Sequence, residues 1–444
     1  MSNITVDCKK IRGDVLVPIS KSILHRYLMC AYIYRDYGTV AEIEDIAGKL
    51  SDDVIATTKC LDKLIKDYFL EEEYMIEVMS ADTQDLMDGK IKDPQATPLR
   101  LNCGESGTTL RFLLPILAAL GREARITAEG SLVGRPMQPF IDELNRHGAC
   151  IRNHIDTRTS RKKNADGEVV TTKRTVEVFD VYGILDPGIY KLPGDISSQF
   201  ISGLMLAKEL ADDDIEIEID GELQSAPYVK MTEAVIQAYQ DGRADEVLEG
   251  DWSSGAMWVV ANDLLGGKLR VYGLKADSLQ GDNAIIDILN DYAVEEVLTE
   301  MYGSTGHMEI DAKDCPDIVP AIVLKAVSAS LGETPVSTVI RNVDRLKFKE
   351  SNRLKAITEI MSELGANICI SDDGNRIEIN PVDGDLLPGS DRVINTHNDH
   401  RMVMLATMAS IICEKPVTVD GIECVAKSYP SFFEDIARLG GVVE

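Results

Sequence analysis

The sequence predicts a two-domain α/β protein in which six small helix-and-strand modules are shared three to a domain. Three observations carry this. At 444 residues the chain exceeds what one hydrophobic core usually supports. A buried helix followed by an amphipathic one recurs six times, at intervals of roughly 55 to 90 residues, too long for a solenoid repeat. Three of the amphipathic helices run into a glycine that opens an extended segment, in His147-Gly148-Ala149, Leu364-Gly365-Ala366 and Leu439-Gly440-Gly441. Glycine past the last turn is a helix stop.

The elements follow in order. Buried helices are expected after the caps Ser20, Ser106, Ser197, Ser253, Asp317 and Asp399, because the apolar residues of each run nearly encircle the helix. Amphipathic helices are expected over 52–65, 139–147, 228–239, 283–292, 352–364 and 431–439. A break near Glu249-Gly250-Asp251 divides the chain into an inserted domain, 20–248, and a discontinuous one, 1–19 plus 249–444. The chain then crosses the hinge twice. Segments 67–99 and 155–175 are charged and irregular, and are expected to be surface hairpins or loops.

Composition removes several function classes. The chain is 44% hydrophobic and 27% charged, as soluble globular proteins are. A formal net charge of −28 argues against nucleic acid and anionic membrane as partners, since such binding draws on cationic neutralisation of phosphates. Residues 1–10 lack the apolar core of a signal peptide, and the longest apolar run, 112–120, lies between Arg111 and Arg122, too short to span a bilayer. Nine cysteines without a Cys-x-x-Cys pair fit free thiols in a reducing cytoplasm.

On so acidic a protein, basic residues embedded in Ser-, Gly- and Asn-bearing loops need a reason of their own. They occur at Ser20-Lys21-Ser22 with Arg26, at 104–111, at Gly134-Arg135-Pro136, at 347–353, at 398–402 and at Lys427-Ser428. Helix N-termini carry unpaired amides and about half a positive charge, so convergent caps would make an anion pocket. Each segment also has a plain structural reading. Ser106 and the threonines after it could simply cap a helix, and Ser197-Ser198-Gln199 could be a capping box. Lys349 and Arg353, four apart beside Glu350, could be a solvated face, although cations at a helix start oppose its dipole unless an anion sits there. His400 reads as structural or catalytic, whereas a buried Arg401 requires an anionic partner. No zinc spacing, dinucleotide Gly-x-Gly-x-x-Gly or Gly-x-Ser-x-Gly elbow is present, so no metal or cofactor is indicated.

Taken in register, these segments resemble the 5-enolpyruvylshikimate-3-phosphate synthase family. The matches are Ser20-Lys21-Ser22 with Arg26, 104–111, Arg135-Pro136, Ser197-Ser198-Gln199, Ser225-Ala226-Pro227-Tyr228, Gly250-Asp251, Gln280-Gly281-Asp282, Pro316-Asp317, Lys349-Glu350 with Arg353, 398–402 and Lys427. The resemblance implies two domains, each of three βαβαββ units with buried parallel helices. It implies transfer of the enolpyruvyl group of phosphoenolpyruvate to the 5-hydroxyl of shikimate 3-phosphate, by a cytoplasmic monomer without cofactor that glyphosate targets. Lys21, Ser22, Arg26, Ser197, Ser198, Ser225, Tyr228, Asp317 and Lys349 would hold shikimate 3-phosphate. Lys21, Gly107, Arg111, Arg135, Gln199, Arg353, Arg401 and Lys427 would hold phosphoenolpyruvate. Two positions depart from the family pattern: Glu105 and Arg345 stand where Asn is common, and neither is assigned a role.

The implied chemistry is addition followed by elimination. It needs a proton donor and acceptor at C3, for which Glu350 is the candidate, with Lys21 and Asp317 managing the hydroxyl proton. Two rivals stay in view. A UDP-N-acetylglucosamine enolpyruvyl transferase shares the fold and donor, but usually carries a Cys before its Arg-Pro pair and Lys-Asn in place of Lys21-Ser22; the loop 130–134 has no Cys. A phosphometabolite-binding regulator on the same scaffold would keep the Arg and Ser ligands but have no use for Glu350.

Overall fold

The computed structural model describes residues 2–80, 93, 96–163, 169–194, 197–211, 214–303 and 305–444. Its buried side chains fall into two separate cores. One is built from Leu24 to Ile236, and the other from Val6 to Val17 together with Trp252 to Leu439. The two passages between them lie side by side: Ile19 pairs with Gly250, the Ser20 amide donates to Glu249 O at 2.8 Å, and the Asp251 amide to Pro18 O at 2.8 Å.

One module topology recurs in three places. Strands Gly306–Asp311 and Val336–Arg341 pair in parallel around helix Val319–Ala329; helix Arg353–Glu363 follows, and the hairpin Asn367–Ile370 with Arg376–Asn380 completes a four-stranded sheet. Strands Leu99–Gly104, Ala124–Glu129, Ala149–Lys163 and Val169–Gly183 repeat that order around helices Gly107–Ala119 and Gln138–Arg146. In the third, Val393–Ile394, Val417–Val419 and Val442–Val443 surround helix His400–Ala409, and the N-terminal strand Ile4–Asp7 supplies the missing member. Gly13–Leu16 likewise pairs in parallel with Leu269–Tyr272. The N-terminal residues are thereby built into the sheets of the second core. The remaining modules have less sheet: Gly188–Pro193 pairs only with Ile215–Asp220, and 20–80 contains helices without a strand among the described residues.

The buried helices begin where the sequence expects, but not every cap does. Ser106, Ser197 and Asp399 accept from the amides of Thr109, Gln199 and Arg401. Ser20 instead donates its hydroxyl to Gln280 Oε1 at 3.0 Å. The helix expected at Ser253 is Trp252–Leu264, capped by Asp251, which accepts from the Ser254 amide at 2.9 Å. Asp317 caps nothing, since a 3₁₀ turn over Pro316–Ile318 precedes helix Val319–Ala329 and its carboxylate faces the cleft.

The segment from 67 on is also corrected in part. Helix Asp52–Ser80 continues through it, because no Gly or Pro interrupts 52–80. Its buried residues stop at Leu64, and Phe69, Leu70, Met75, Ile76 and Met79 are exposed, so the apolar periodicity fades before the helix ends. Most of the rest of that segment, 81–92 and 94–95, lies outside the described residues. The segment 155–175 is a hairpin whose strands Ala149–Lys163 and Val169–Gly183 pair throughout, with 164–168 outside the described residues.

Candidate active site

Helix starts from both cores converge on one cleft, a cavity of about 390 Å³. The first core contributes the N-termini of Lys21–Ile33, Gly107–Ala119, Ser198–Lys208 and Ala226–Gln240; the second contributes Pro316–Ile318 and the starts of Arg353–Glu363 and His400–Ala409. Partial positive charge from these ends adds to that of the basic side chains.

A carboxylate–guanidinium network forms one wall. Arg353 is 1% exposed and donates from Nη1 to Asp317 at 2.8 Å, from Nη2 to Glu350 at 2.5 Å, and from Nε to Asp399 at 2.9 Å. Asp317 also accepts from Lys349 Nζ at 3.0 Å and from the Tyr228 hydroxyl at 3.2 Å. Burial alone would raise the pKa of Asp317, but Lys349, Arg353 and Arg401 pull it below the usual range. Glu350 follows the same pattern: burial opposes ionisation, and the charges of Arg353, Arg135 and Lys21 outweigh it, holding the carboxyl well below its ordinary value. Burial lowers the pKa of Lys349, with Asp317 resisting. Lys21 pairs with Asp53 at 2.9 Å; Asp53 and Glu350 overcome burial and raise its pKa.

Beside this network the cleft is rich in cations. Arg111 donates from Nη1 to Gln199 Oε1 at 2.6 Å, and Gln199 Nε2 donates to Thr108 Oγ1 at 2.8 Å. Burial and the neighbouring Arg135 bring the Arg111 pKa down to about 9. Arg135 donates from Nε to Ser131 O at 3.0 Å and lies 3.5 Å from Glu350 Oε1. Arg401 donates to Ser253 O at 2.6 Å. Three buried guanidinium nitrogens have no hydrogen-bond partner among the described residues: Arg111 Nε, Arg135 Nη2 and Arg401 Nε. Buried donors of this kind are rare in a settled core and suit an anionic ligand. Gly107 clears the space between two of these side chains, since a Cβ there would lie 2.8 Å from Arg111 Nη1 and 3.4 Å from Arg135 Nη1.

At the remaining end are hydroxyls. Ser197, Ser198, Ser225 and Tyr228 line the cleft with Ser22. Ser225 has a left-handed backbone, φ +57°, uncommon for a residue with a side chain. Arg345 reaches across and donates to Ser225 Oγ at 2.8 Å and Gln224 Oε1 at 2.9 Å.

A model of the family described as "EPSP synthase (3-phosphoshikimate 1-carboxyvinyltransferase)" matches residues 6–240 and 239–436. The chain belongs to the EPSP synthase family. It is 32% identical to the 3-phosphoshikimate 1-carboxyvinyltransferase of Clostridioides difficile (strain 630), over 100% of this chain and 99% of that one. It is 33% identical to the enzyme of the same name from Clostridium kluyveri, with the same coverage. Among solved structures it resembles EPSP synthase from Acinetobacter baumannii, with a TM-score of 0.62 at 19% identity over 100% of this chain and 99% of that chain. The enolpyruvyl transferase NikO from Streptomyces tendae is a more distant fold neighbour, with a TM-score of 0.52 at 14% identity.

Of the residues that the sequence assigns to this EPSP synthase site, all line the cleft except Arg26 and Lys427. Arg26 lies one layer behind, 1% exposed, donating to Ser22 O at 2.7 Å, Tyr228 O at 3.0 Å and Thr232 Oγ1 at 2.7 Å. Lys427 is engaged by Glu105 at 2.8 Å. Asp53, which the sequence reading did not single out, and His400 and Arg345, to which it assigned no role, also line the cleft. Asp53 carries no signal, being one of two acids in an ordinary first turn. His400, deep in the wall, is held neutral by burial and by Arg401 and Lys21.

Proposed function

We propose that the hydroxyl-lined end of the cleft seats shikimate 3-phosphate and the cation-rich end seats phosphoenolpyruvate. The protein is a 3-phosphoshikimate 1-carboxyvinyltransferase: it joins the enolpyruvyl group to the 5-hydroxyl and releases phosphate. Ser197, Ser198 and Ser225 hold the acceptor's phosphate, Lys21 and Ser22 its ring, and Asp317 and Lys349 its 4- and 5-hydroxyls. Arg26 sits behind Ser22 and Tyr228, donates to their carbonyls and so positions them toward the acceptor's ring. Gly107, Arg135, Gln199 and Lys427 surround the donor's phosphate, Arg353 and Arg401 its carboxylate, and Arg111 strengthens the field. The observation that carries this reading is the set of buried guanidinium nitrogens on Arg111, Arg135 and Arg401 without a hydrogen-bond partner among the described residues, the first two beside Gly107.

In this reading the 5-hydroxyl attacks C2 while C3 takes a proton, and then C3 loses a proton as phosphate leaves. Asp317, kept ionised by its neighbours, accepts the hydroxyl proton. Glu350, ionised between Arg353 and Arg135, is the base at C3. Donor anions that share those two guanidiniums raise its pKa and let it carry the proton in both steps. The passages near Ile19 and Gly250 are the hinge about which two domains, 20–248 and 1–19 with 249–444, close as a cytoplasmic monomer. Closure aligns the reactants and expels water.

Purified protein should release phosphate from phosphoenolpyruvate with shikimate 3-phosphate and not with UDP-N-acetylglucosamine. Glyphosate should inhibit that release, and less so in Gly107→Ala, whose methyl would crowd Arg111. Release with the nucleotide sugar alone would overturn the assignment.

A further inference from the structure

Glu105 has no role in the scheme above, yet it ties together three segments at the donor end of the cleft. Its Oε2 accepts from Lys427 Nζ at 2.8 Å, from Ser131 Oγ at 2.8 Å and from the Ser131 amide at 3.0 Å. The Ser131 carbonyl in turn accepts from Arg135 Nε at 3.0 Å. Glu105 is flanked by side chains of the first core, and Lys427 by side chains of the second, so the ion pair joins the two cores. The carboxylate is seated against Gly130, φ +54°, where a Cβ would fall 2.4 Å from Glu105 Cδ. Burial would raise its pKa, but the bonds from Lys427 and Ser131 hold it below the ordinary range, so it is ionised at neutral pH. A fixed negative charge beside an anion site is unfavourable unless a cation stays with it.

We propose that Glu105 is a positioning residue for the donor's phosphate: it fixes Lys427 of the second core and, through Ser131, sets Arg135. This rests on the reading of Arg135 and Lys427 as phosphate ligands. Lys427 then has two duties, since it attracts the phosphate and neutralises Glu105. Removing it leaves a carboxylate stranded next to the phosphate, and that part of the loss is recoverable by neutralising Glu105. Losses from two independent residues would instead multiply.

The test is a double-mutant cycle on the full-length enzyme, reading KM for phosphoenolpyruvate and for shikimate 3-phosphate separately from kcat. Lys427→Met should raise KM for phosphoenolpyruvate about 100-fold, as truncating one partner of a buried charge pair does. Adding Glu105→Gln should recover at least about tenfold of it, with kcat and the KM for shikimate 3-phosphate unmoved from their Lys427→Met values. An unchanged KM in Lys427→Met would instead remove Lys427 from the phosphate site, a failure of the reading beneath this one. A raised KM that Glu105→Gln leaves alone or worsens would overturn the role of Glu105 by itself. Should Lys427→Met fail to fold, Glu105→Gln alone decides: KM for phosphoenolpyruvate shifted at least about threefold, with that for shikimate 3-phosphate constant, supports the proposal, and an unmoved KM overturns it.

Discussion

Replacing Glu350 with Gln is expected to cut turnover at least about 100-fold, the lower end of what general acid–base groups contribute, while shikimate 3-phosphate still binds with near-normal affinity. The substitution keeps size and hydrogen-bonding capacity but cannot accept a proton. The structure makes the competing explanation concrete, because Glu350 is bonded to Arg353 at 2.5 Å and lies 3.5 Å from Arg135. If that ion pairing were its whole role, the variant would lose stability or donor affinity and keep its kcat. Single-turnover rates at saturating substrate, set beside calorimetric titration with shikimate 3-phosphate, separate the two. Near-normal single-turnover chemistry would take Glu350 out of the mechanism and leave Lys21 and Asp317 as the groups that move protons.

The second large effect belongs to Arg353. Its guanidinium is bonded to Asp317, Glu350 and Asp399, and the last is fully buried. Arg353→Met removes the shared cation and leaves three carboxylates with too few partners, so a loss of about 3–5 kcal/mol in stability is expected as well as loss of activity. The pH dependence identifies the cause. Asp317 and Glu350 have depressed folded pKa values, so their contribution is fully present above the ordinary carboxylate range and is lost as pH falls through the folded values. Without Arg353, one of the charges that oppose burial is lost and these groups gain protons more readily. Urea midpoints for wild type and variant should therefore differ most near neutrality and converge as the carboxylates protonate. A difference that stays constant with pH would assign the loss to packing instead.

Most of the fold was legible because buried helices advertise themselves. Lys21–Ile33 begins after Ser20 as expected, and it is apolar on nearly every face. The second half of Asp52–Ser80 was not legible, because that stretch buries little and presents no periodic face for a sequence to display. The site was legible as a set of residue types but not as a set of partners. Asp317 was assigned as a cap on local grounds, and only tertiary structure brings Lys349 and Arg353, distant in sequence, to its carboxylate. Asp53 shows the same limit, since nothing near it in the chain indicates that Lys21 will be its counter-ion. Arg345 and Glu105 were visible only as departures from a pattern. Both make hydrogen bonds between the two cores, contacts that depend on how the cores face each other.

A crystal structure with shikimate 3-phosphate and glyphosate bound tests the central claim most directly, because that claim assigns two anions to two ends of one cleft. The account predicts the shikimate phosphate within hydrogen-bond distance of Ser197, Ser198 and Ser225, and glyphosate against Gly107 with its anionic ends on Arg135 and on Arg353 with Arg401. Density for shikimate 3-phosphate among Arg135, Arg353 and Arg401, or outside the cleft altogether, would contradict it.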